Sequence, residues 1–266
     1  MNNVIILIPH FNNFKGLCDS IFSIEKEEKV DVLIVDDGSA TSQIEERELL
    51  KFQKFKGTIS FIYNKENLGI EHVLNQGLRY IYSINTYKYI ARLDCGDLCL
   101  ENRFFLQEKI LQDNTSCKLV GSNAIAIDLK GKALYKTIFP EFSDEIKNKM
   151  FVNAMFLHPT VMFCASLINE IGFYPTDYKA AEDYAFFFNI AQKHETHNIQ
   201  KFLLKYEINP NGISLSKRNQ QVSSRIQIIK ENFYFGYWPI YGLFRNYALR
   251  YIIPQKFILW LKRDCF

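Results

Sequence analysis

Short, nearly unbroken apolar runs punctuate the first hundred residues. They are Val4–Ile8, Val30–Val35, Ile59–Tyr63 and Tyr89–Leu93, the first two rich in β-branched residues. Runs of this length, flanked by polar turns, predict strands buried on both faces. Pro9 is expected to stop the first of them. Between the runs the spacing turns helical. Leu17, Ile21 and Ile24 share one face, and Ile70, Val73, Leu74, Gly77, Leu78 and Ile81 form the clearest stripe. Ser42-Gln43-Ile44-Glu45 has capping-box spacing and predicts the start of a charged surface helix. Asn67-Leu68-Gly69 reads as a turn. The alternation β-α-β-α-β-α-β predicts an α/β fold, a parallel sheet joined by right-handed crossovers.

The second half is less regular. Leu119-Val120-Gly121 and Ala124–Ile127 read as strands, with a hairpin turn at Lys130-Gly131-Lys132. Thr160–Phe163 is another strand, and Ser166–Ile171 a short helix closed by Gly172. Glu182–Lys193 is a helix with Tyr184, Phe187, Phe188 and Ala191 on its apolar face. No internal repeat or low-complexity segment occurs. From Phe233 the texture changes. The last 34 residues hold twelve aromatics, five Lys or Arg (Arg245, Arg250, Lys256, Lys262, Arg263) and one acid, Asp264. Trp238, Tyr241, Tyr247, Tyr251 and Trp260 have apolar bodies and polar tips. That mixture suits a membrane interface with anionic headgroups, or else an aromatic helical pair packed on the protein or in a homodimer.

Composition narrows the class. The chain has 266 residues, 48% apolar, enough for a full core. A net charge of +3 is too balanced to imply nucleic acid. The six cysteines form no CxxC pair, so reduced, mostly buried thiols are expected. Cys95 and Cys99 lack the companions a zinc site needs. The start of the chain lacks the pattern of a signal peptide, and no apolar run reaches the ~20 residues of a membrane span. A cytoplasmic protein is expected.

Three acidic islands carry the candidate chemistry: Val35-Asp36-Asp37-Gly38-Ser39, Arg92-Leu93-Asp94-Cys95-Gly96-Asp97 and Ala181-Glu182-Asp183-Tyr184. The first two end strands. Carboxylates there face the crevice in which open α/β sheets bind ligands. They can accept hydrogen bonds from a base or ribose, or share a divalent cation with a diphosphate. The third opens an amphipathic helix and can supply a general base. Together they suggest a nucleotide-sugar transferase. The absence of GxGxxG and of GxxxxGK[ST] speaks against a dinucleotide dehydrogenase and a P-loop enzyme. A sugar-nucleotide-synthesising nucleotidyltransferase would want a Gly-rich, basic loop where Pro9-His10-Phe11-Asn12-Asn13 stands.

At this point the chain resembles the family 2 glycosyltransferases, inverting enzymes of the GT-A fold. The likeness rests on Ile8-Pro9-His10-Phe11-Asn12-Asn13, on the Asp36-Asp37 island, on Asn64-Lys65-Glu66-Asn67-Leu68-Gly69, and on Ala91–Asp97. His158-Pro159-Thr160-Val161-Met162-Phe163 follows, with Ala180–Tyr184 at the distance the family uses. The match spans about residues 4 to 215. It implies a Rossmann-like, mostly parallel central sheet with helices on both faces and a C-terminal helical extension. The expected division is a GT-A domain over 1–220, with a nucleotide-binding half (1–100) and an acceptor-binding half (101–220), then the extension over 221–266.

The resemblance also implies roles. Pro9 and Phe11 would line the nucleotide pocket. Asp37 would accept a hydrogen bond from the pyrimidine N–H, while Asp36 braces the loop. Asn67 and Gly69 would shape the pocket floor, or serve only as turn and helix cap. Arg92 would meet a carboxylate or the diphosphate, or pair with Asp94 or Asp37. Asp94 would touch the ribose and a divalent cation, Mn²⁺ or Mg²⁺. The family's usual Asp-x-Asp-Asp has its common metal ligand third, where this chain has Gly96; Asp94 and Asp97 are then the candidate ligands. Asp183 would be the catalytic base, kept ionised by the helix N-terminus. Glu182 would contact acceptor or donor sugar, and His158 would act at the site or structurally. Glu207 and Asn209 stand where relatives often have Arg and His, and Ser214 keeps the family pattern.

The expected function is transfer of a sugar from a UDP- or dTDP-linked donor to a hydroxyl of a glycan or a polyprenyl-diphosphate-linked acceptor. Capsule or O-antigen assembly at the inner face of a bacterial plasma membrane is the expected context. The alternative is a catalytically silent GT-A-like domain that binds a nucleotide sugar or a partner enzyme.

Overall fold

The computed structural model describes residues 2–209 and 217–253. Ser214 and the tail residues Lys256, Trp260, Lys262, Arg263 and Asp264 lie outside them. Four strands come from the first apolar runs: β1 (Val4–His10), β2 (Val30–Asp36), β3 (Ile59–Tyr63) and β4 (Tyr89–Arg92). They pair in parallel in the order β3-β2-β1-β4. α1 (Phe14–Ser23), the one-turn α2 (Glu46–Leu49) and α3 (Ile70–Ile84) connect them. The order reverses at β1, whose neighbours β2 and β4 lead away on opposite sides. The crevice of an open α/β sheet lies at such a point.

The apolar runs are continuous because each strand feeds two cores. Ile5 and Leu7 of β1 pack with Val73, Leu74, Leu78 and Ile81 of α3. Val4, Ile6 and Ile8 pack with Leu17, Ile21 and Ile24 on the other face. Gly77 lets α3 lie against β1, since a Cβ there would stand 2.3 Å from Leu7 Cδ1.

The second half extends the same sheet. β5 (Leu98–Cys99), α4 (Arg103–Asp113), β6 (Cys117–Ile127), β7 (Ala133–Thr137), α5 (Ser143–Lys149), β8 (Met162–Cys164), α6 (Leu167–Ile171), α7 (Glu182–Lys193) and β9 (Glu195–Glu207) follow in order. The nine-stranded sheet continues β4-β8-β6-β9-β5, with β7 beside β6. β8 joins β4 and β6 antiparallel, and β9 runs parallel to β6. Lys130 and Lys132 donate their backbone N–H to Asp128 Oδ1 and close the expected hairpin. Phe186, Phe187 and Phe188 of α7 join Ile146, Met150 and Phe151 in the core on the α3 face.

Four local expectations change. Pro9 does not end β1, which continues to His10 opposite Asp36. Pairing with β4 stops at Leu7, so the missing N–H of Pro9 falls where β1 has one neighbour only. Ser42 does not cap the helix that follows it. Its Oγ accepts the N–H of Phe14, the first residue of α1, at 2.9 Å. The two strands expected over 119–127 are one strand with register shifts at Ser122, Asn123 and Ala124. β9 is new: its first seven residues are almost all polar and only Phe202-Leu203-Leu204 is apolar, and its pairing with β6 and β5 supplies the order.

α8 (Arg218–Glu231) and α9 (Tyr237–Tyr251) complete the described chain. The expected 220/221 boundary falls inside α8, whose Ile228 and Ile229 belong to the main core. α9 packs through Pro239, Gly242 and Asn246 and turns Tyr237, Ile240, Phe244 and Tyr251 outward.

Candidate active site

The first two islands are built by hydrogen bonds between neighbouring strand ends. Asp36, at the end of β2, accepts from His10 Nδ1 at 2.6 Å, Ser39 Oγ at 2.5 Å and Ser39 N–H at 3.0 Å. His10 Nε2 accepts the Asn13 N–H, so the ring proton sits on Nδ1, facing Asp36. Burial pushes the Asp36 carboxyl up; the Ser39 and His10 hydrogen bonds outweigh it and hold the group below its ordinary range. Asn12 Oδ1 accepts from the backbone of Ala40 and Thr41, lacing the β1 loop to the β2 loop. Phe11 follows on this edge and is 48% exposed, and Pro9 is half-buried.

Asp37 is used differently from Asp36. Its Oδ1 accepts the Leu68 N–H at 2.7 Å and its Oδ2 the Gly69 N–H at 3.0 Å. Each oxygen keeps a second lone pair for a ligand donor. Gly69 has φ +94 and precedes α3, so the Asn67–Gly69 turn is clamped to the β2 end.

At the end of β4, Arg92 is fully buried. It donates through Nη2 to Asp94 Oδ1 at 2.6 Å, through Nε to His158 Nε2 at 3.2 Å, and through Nη1 to the Leu7 carbonyl. Each guanidinium nitrogen thus makes a bond inside the protein, and the charge of Arg92 is paired with Asp94. The Asp94 side chain stays 40% exposed toward the cleft. Burial and the Arg92 charge hold His158 well below its ordinary range, so it is neutral. Its Nε2 accepts from Arg92 and also meets Tyr174 Oη at 2.9 Å. His158 is therefore tied into this network as a brace. Tyr174 is fixed in turn by Asn75, which exchanges two hydrogen bonds with the Tyr174 backbone.

Asp183 and Glu182 open α7. Burial raises the Asp183 carboxyl; the Tyr184 N–H at 2.6 Å and the Arg225 charge oppose it without cancelling it. The helix N-terminus was expected to keep this acid readily ionised, and desolvation wins instead. Glu182 is pushed up to about 7, by burial first and then by the Asp183 charge. Asp94 raises Asp183 as well, and Asp94, Asp183 and Glu182 all raise Tyr174. The end of β4 and the start of α7 thus lie within electrostatic reach of one another, around Tyr174.

Asp97 does not join them. It is buried, and its Oδ1 accepts the Glu207 N–H at 2.8 Å. Burial, then the Asp94 charge, pushes it well above the ordinary range. Asp97, the second expected metal ligand, is thus tied to β9 through one of its oxygens. Gly96 has φ +98, and a Cβ there would approach Glu207 Oε1 to 3.4 Å. No group of three or more His, Cys, Asp or Glu is placed to hold a metal among the described residues. Of the two expected ligands, Asp94 is the one whose side chain stays exposed.

Sequence reasoning missed Tyr174, Asn75 and Arg225. None lies in a motif, and each acquires its neighbours only through packing.

A sequence profile of glycosyl transferase family 2 matches residues 5–172. An uncharacterized glycosyltransferase of Methanocaldococcus jannaschii is 31% identical over 212 residues, 78% of this chain and 71% of the relative. One of Rickettsia bellii is 28% identical over 227 residues, 85% of this chain; the chain spans only 31% of that relative's length. The amylovoran biosynthesis glycosyltransferase of Erwinia amylovora is 25% identical over 167 residues, 62% of this chain and 60% of the relative. Among solved structures, S. aureus TarS 1-349 in complex with UDP superposes with a TM-score of 0.63 at 15% identity, covering 86% of this chain and 65% of that one. The mannosyltransferase PcManGT of Pyrobaculum calidifontis, in complex with GDP-Man and Mn²⁺, gives 0.61 at 14% identity, covering 94% and 69%. These neighbours fix the architecture as GT-A.

Proposed function

The chain belongs to glycosyltransferase family 2, and on that footing we propose that it is an inverting glycosyltransferase acting on a nucleoside-diphosphate sugar. The observation that carries this reading is the gathering of Asp94 and the Glu182–Asp183 pair around Tyr174, together with Asp37 clamping the loop before α3. Phe11 and Asp37 would receive the nucleoside. Asp94, held in place by Arg92, would face the ribose and diphosphate. A cation bound with the donor would neutralise charge growing on the leaving diphosphate.

Asp183 takes the proton from the acceptor hydroxyl as that oxygen attacks the anomeric carbon from the face opposite the diphosphate. The C–O bond to the diphosphate breaks in the same displacement, and configuration inverts. A base raised toward neutral pH is better matched to this transfer than an ordinary aspartate. Glu182 is placed to contact the acceptor or the donor sugar.

The neighbours were solved with UDP and with GDP-Man, which supports a nucleotide-sugar donor; UDP or dTDP is our choice. The similarity to an amylovoran biosynthesis glycosyltransferase supports a glycan acceptor; a polyprenyl-diphosphate carrier in surface polysaccharide assembly, capsule or O-antigen, is our choice. The outward aromatic face of α9 supports peripheral contact with the inner face of a plasma membrane. No described helix is long and apolar enough to cross one.

The inward Asp97 and the glycine at position 96 favour a second reading, a silent domain that binds donor without transfer. Binding and turnover of a panel of UDP-, dTDP- and GDP-sugars, with and without Mn²⁺, separate the two. Slow turnover by wild type, lost in Asp183→Asn with donor binding kept, supports the enzyme. Binding without turnover toward any lipid-linked acceptor supports the silent domain.

A further inference from the structure

Cations of the C-terminal helices gather beside the base. Arg225 of α8 is 8% exposed, and its Cζ lies 5.2 Å from the ring centroid of Tyr184, the residue after Asp183. The charges of Arg245 and Arg218 reach it. Those two have carbonyl partners: Arg245 donates to Val152 and Arg218 to Leu249. A buried guanidinium is ordinarily paired or hydrogen-bonded, because desolvating a lone charge is costly. Among the described residues, Arg225 makes no ion pair and its Nε–H meets no acceptor. Residues 210–216 hold no Asp or Glu that could supply one. The carboxylate that feels its charge is Asp183.

We propose that Arg225, backed by Arg245, is an anion subsite on the acceptor side of the cleft and receives a diphosphate group carried by the acceptor. The inference rests on Asp183 being the base. The guanidinium fork matches phosphate oxygens in pairs, and a charge already out of water binds an anion strongly. An anchored diphosphate would leave the first sugar of a linked glycan beside Asp183.

Inorganic pyrophosphate titrated calorimetrically into the full chain, with UDP saturating the donor site, tests this. Wild type binds, Arg225→Gln binds at least about tenfold more weakly, and Arg225→Lys falls between. Equal binding by wild type and Arg225→Gln, or no binding by wild type at millimolar pyrophosphate, overturns the proposal. Should the Gln variant not fold, the Arg225 Nε–Hε resonance of wild type must shift on adding pyrophosphate; an unmoved resonance overturns it equally. Farnesyl diphosphate binding more tightly than pyrophosphate assigns the anion to a lipid-linked acceptor, and equal binding assigns it to the diphosphate group itself. UDP binding is followed in separate samples, so failure of the donor reading is seen apart from failure at Arg225.

Discussion

Arg92 holds Asp94 from beneath: Nη2 and Oδ1 are 2.6 Å apart, with the arginine fully buried and the aspartate 40% exposed. One partner is structure and the other faces the cleft, so their variants should behave differently. Arg92→Met leaves the Leu7 carbonyl, His158 and Asp94 without their donor, a loss of about 3 kcal/mol or more, visible in thermal unfolding. Asp94→Asn should fold with nearly wild-type stability yet weaken donor turnover by about a hundredfold and raise the Mn²⁺ needed for half-maximal rate. Equal stability losses in both variants would contradict this division.

Asp183→Asn should bind donor normally and lose transfer by about 10²–10⁴-fold. Because burial raises the Asp183 carboxyl, the acid limb of kcat/KM should lie above the ordinary aspartate value of about 3.9, with activity lost as pH falls through that limb. Glu182 and Asp183 repel one another. Glu182, raised to about 7 by burial and by the Asp183 charge, still holds its proton while Asp183 titrates, so Glu182→Gln should leave the acid limb in place. A limb that moves would mean Glu182 itself controls it.

Glu28 accepts the N–H groups of Phe104 and Phe105 and so caps α4 from another part of the chain. Burial pushes its carboxyl up to about 7. The folded state therefore holds this proton more tightly than the unfolded one. Its contribution is complete below the unfolded value of about 4.3 and fades as pH rises toward 7. Glu28→Ala should cost about 1–2 kcal/mol near pH 5 and flatten the fall in Tm between pH 5 and 7. An unchanged slope would rule Glu28 out as its source.

Gly77→Ala brings a Cβ to 2.3 Å from Leu7 Cδ1. Helix propensity favours alanine by about 1 kcal/mol, but overpacking costs about 1–3 kcal/mol, so net destabilisation is expected. Leu7→Ala in the same chain should show less than the sum of the two losses, measured by denaturant unfolding.

Phe244 on the outward face of α9 is 73% exposed. Phe244→Glu should leave Tm within about 0.5 kcal/mol equivalents of wild type and reduce flotation with anionic liposomes. Unchanged flotation, or conversion of a dimer to a monomer, would assign the face to the homodimer instead.

Much of the fold is legible along the chain. The first four strands and α3 follow from apolar runs and one helical stripe, because burial on two faces imposes a local pattern. The carboxylates of Asp36, Asp37, Asp94 and Asp183 stand out because strand ends and helix starts are local features too. β9 was illegible because a strand whose first half is mostly polar is held by ladder bonds to distant partners. Ser42 has the right spacing for its own helix and caps another, because tertiary contact outweighs a marginal local bond.

The sequence by itself determined the alternation of elements, the two-faced core and the identity of the acids at the crevice. Only the tertiary structure decided what each acid does. It turned Asp97 inward, left Asp94 facing the cleft above a buried arginine, and raised Asp183 against its helix dipole. The physical reason is that desolvation and charge pairing depend on what comes close in space, which the order of residues along the chain does not state.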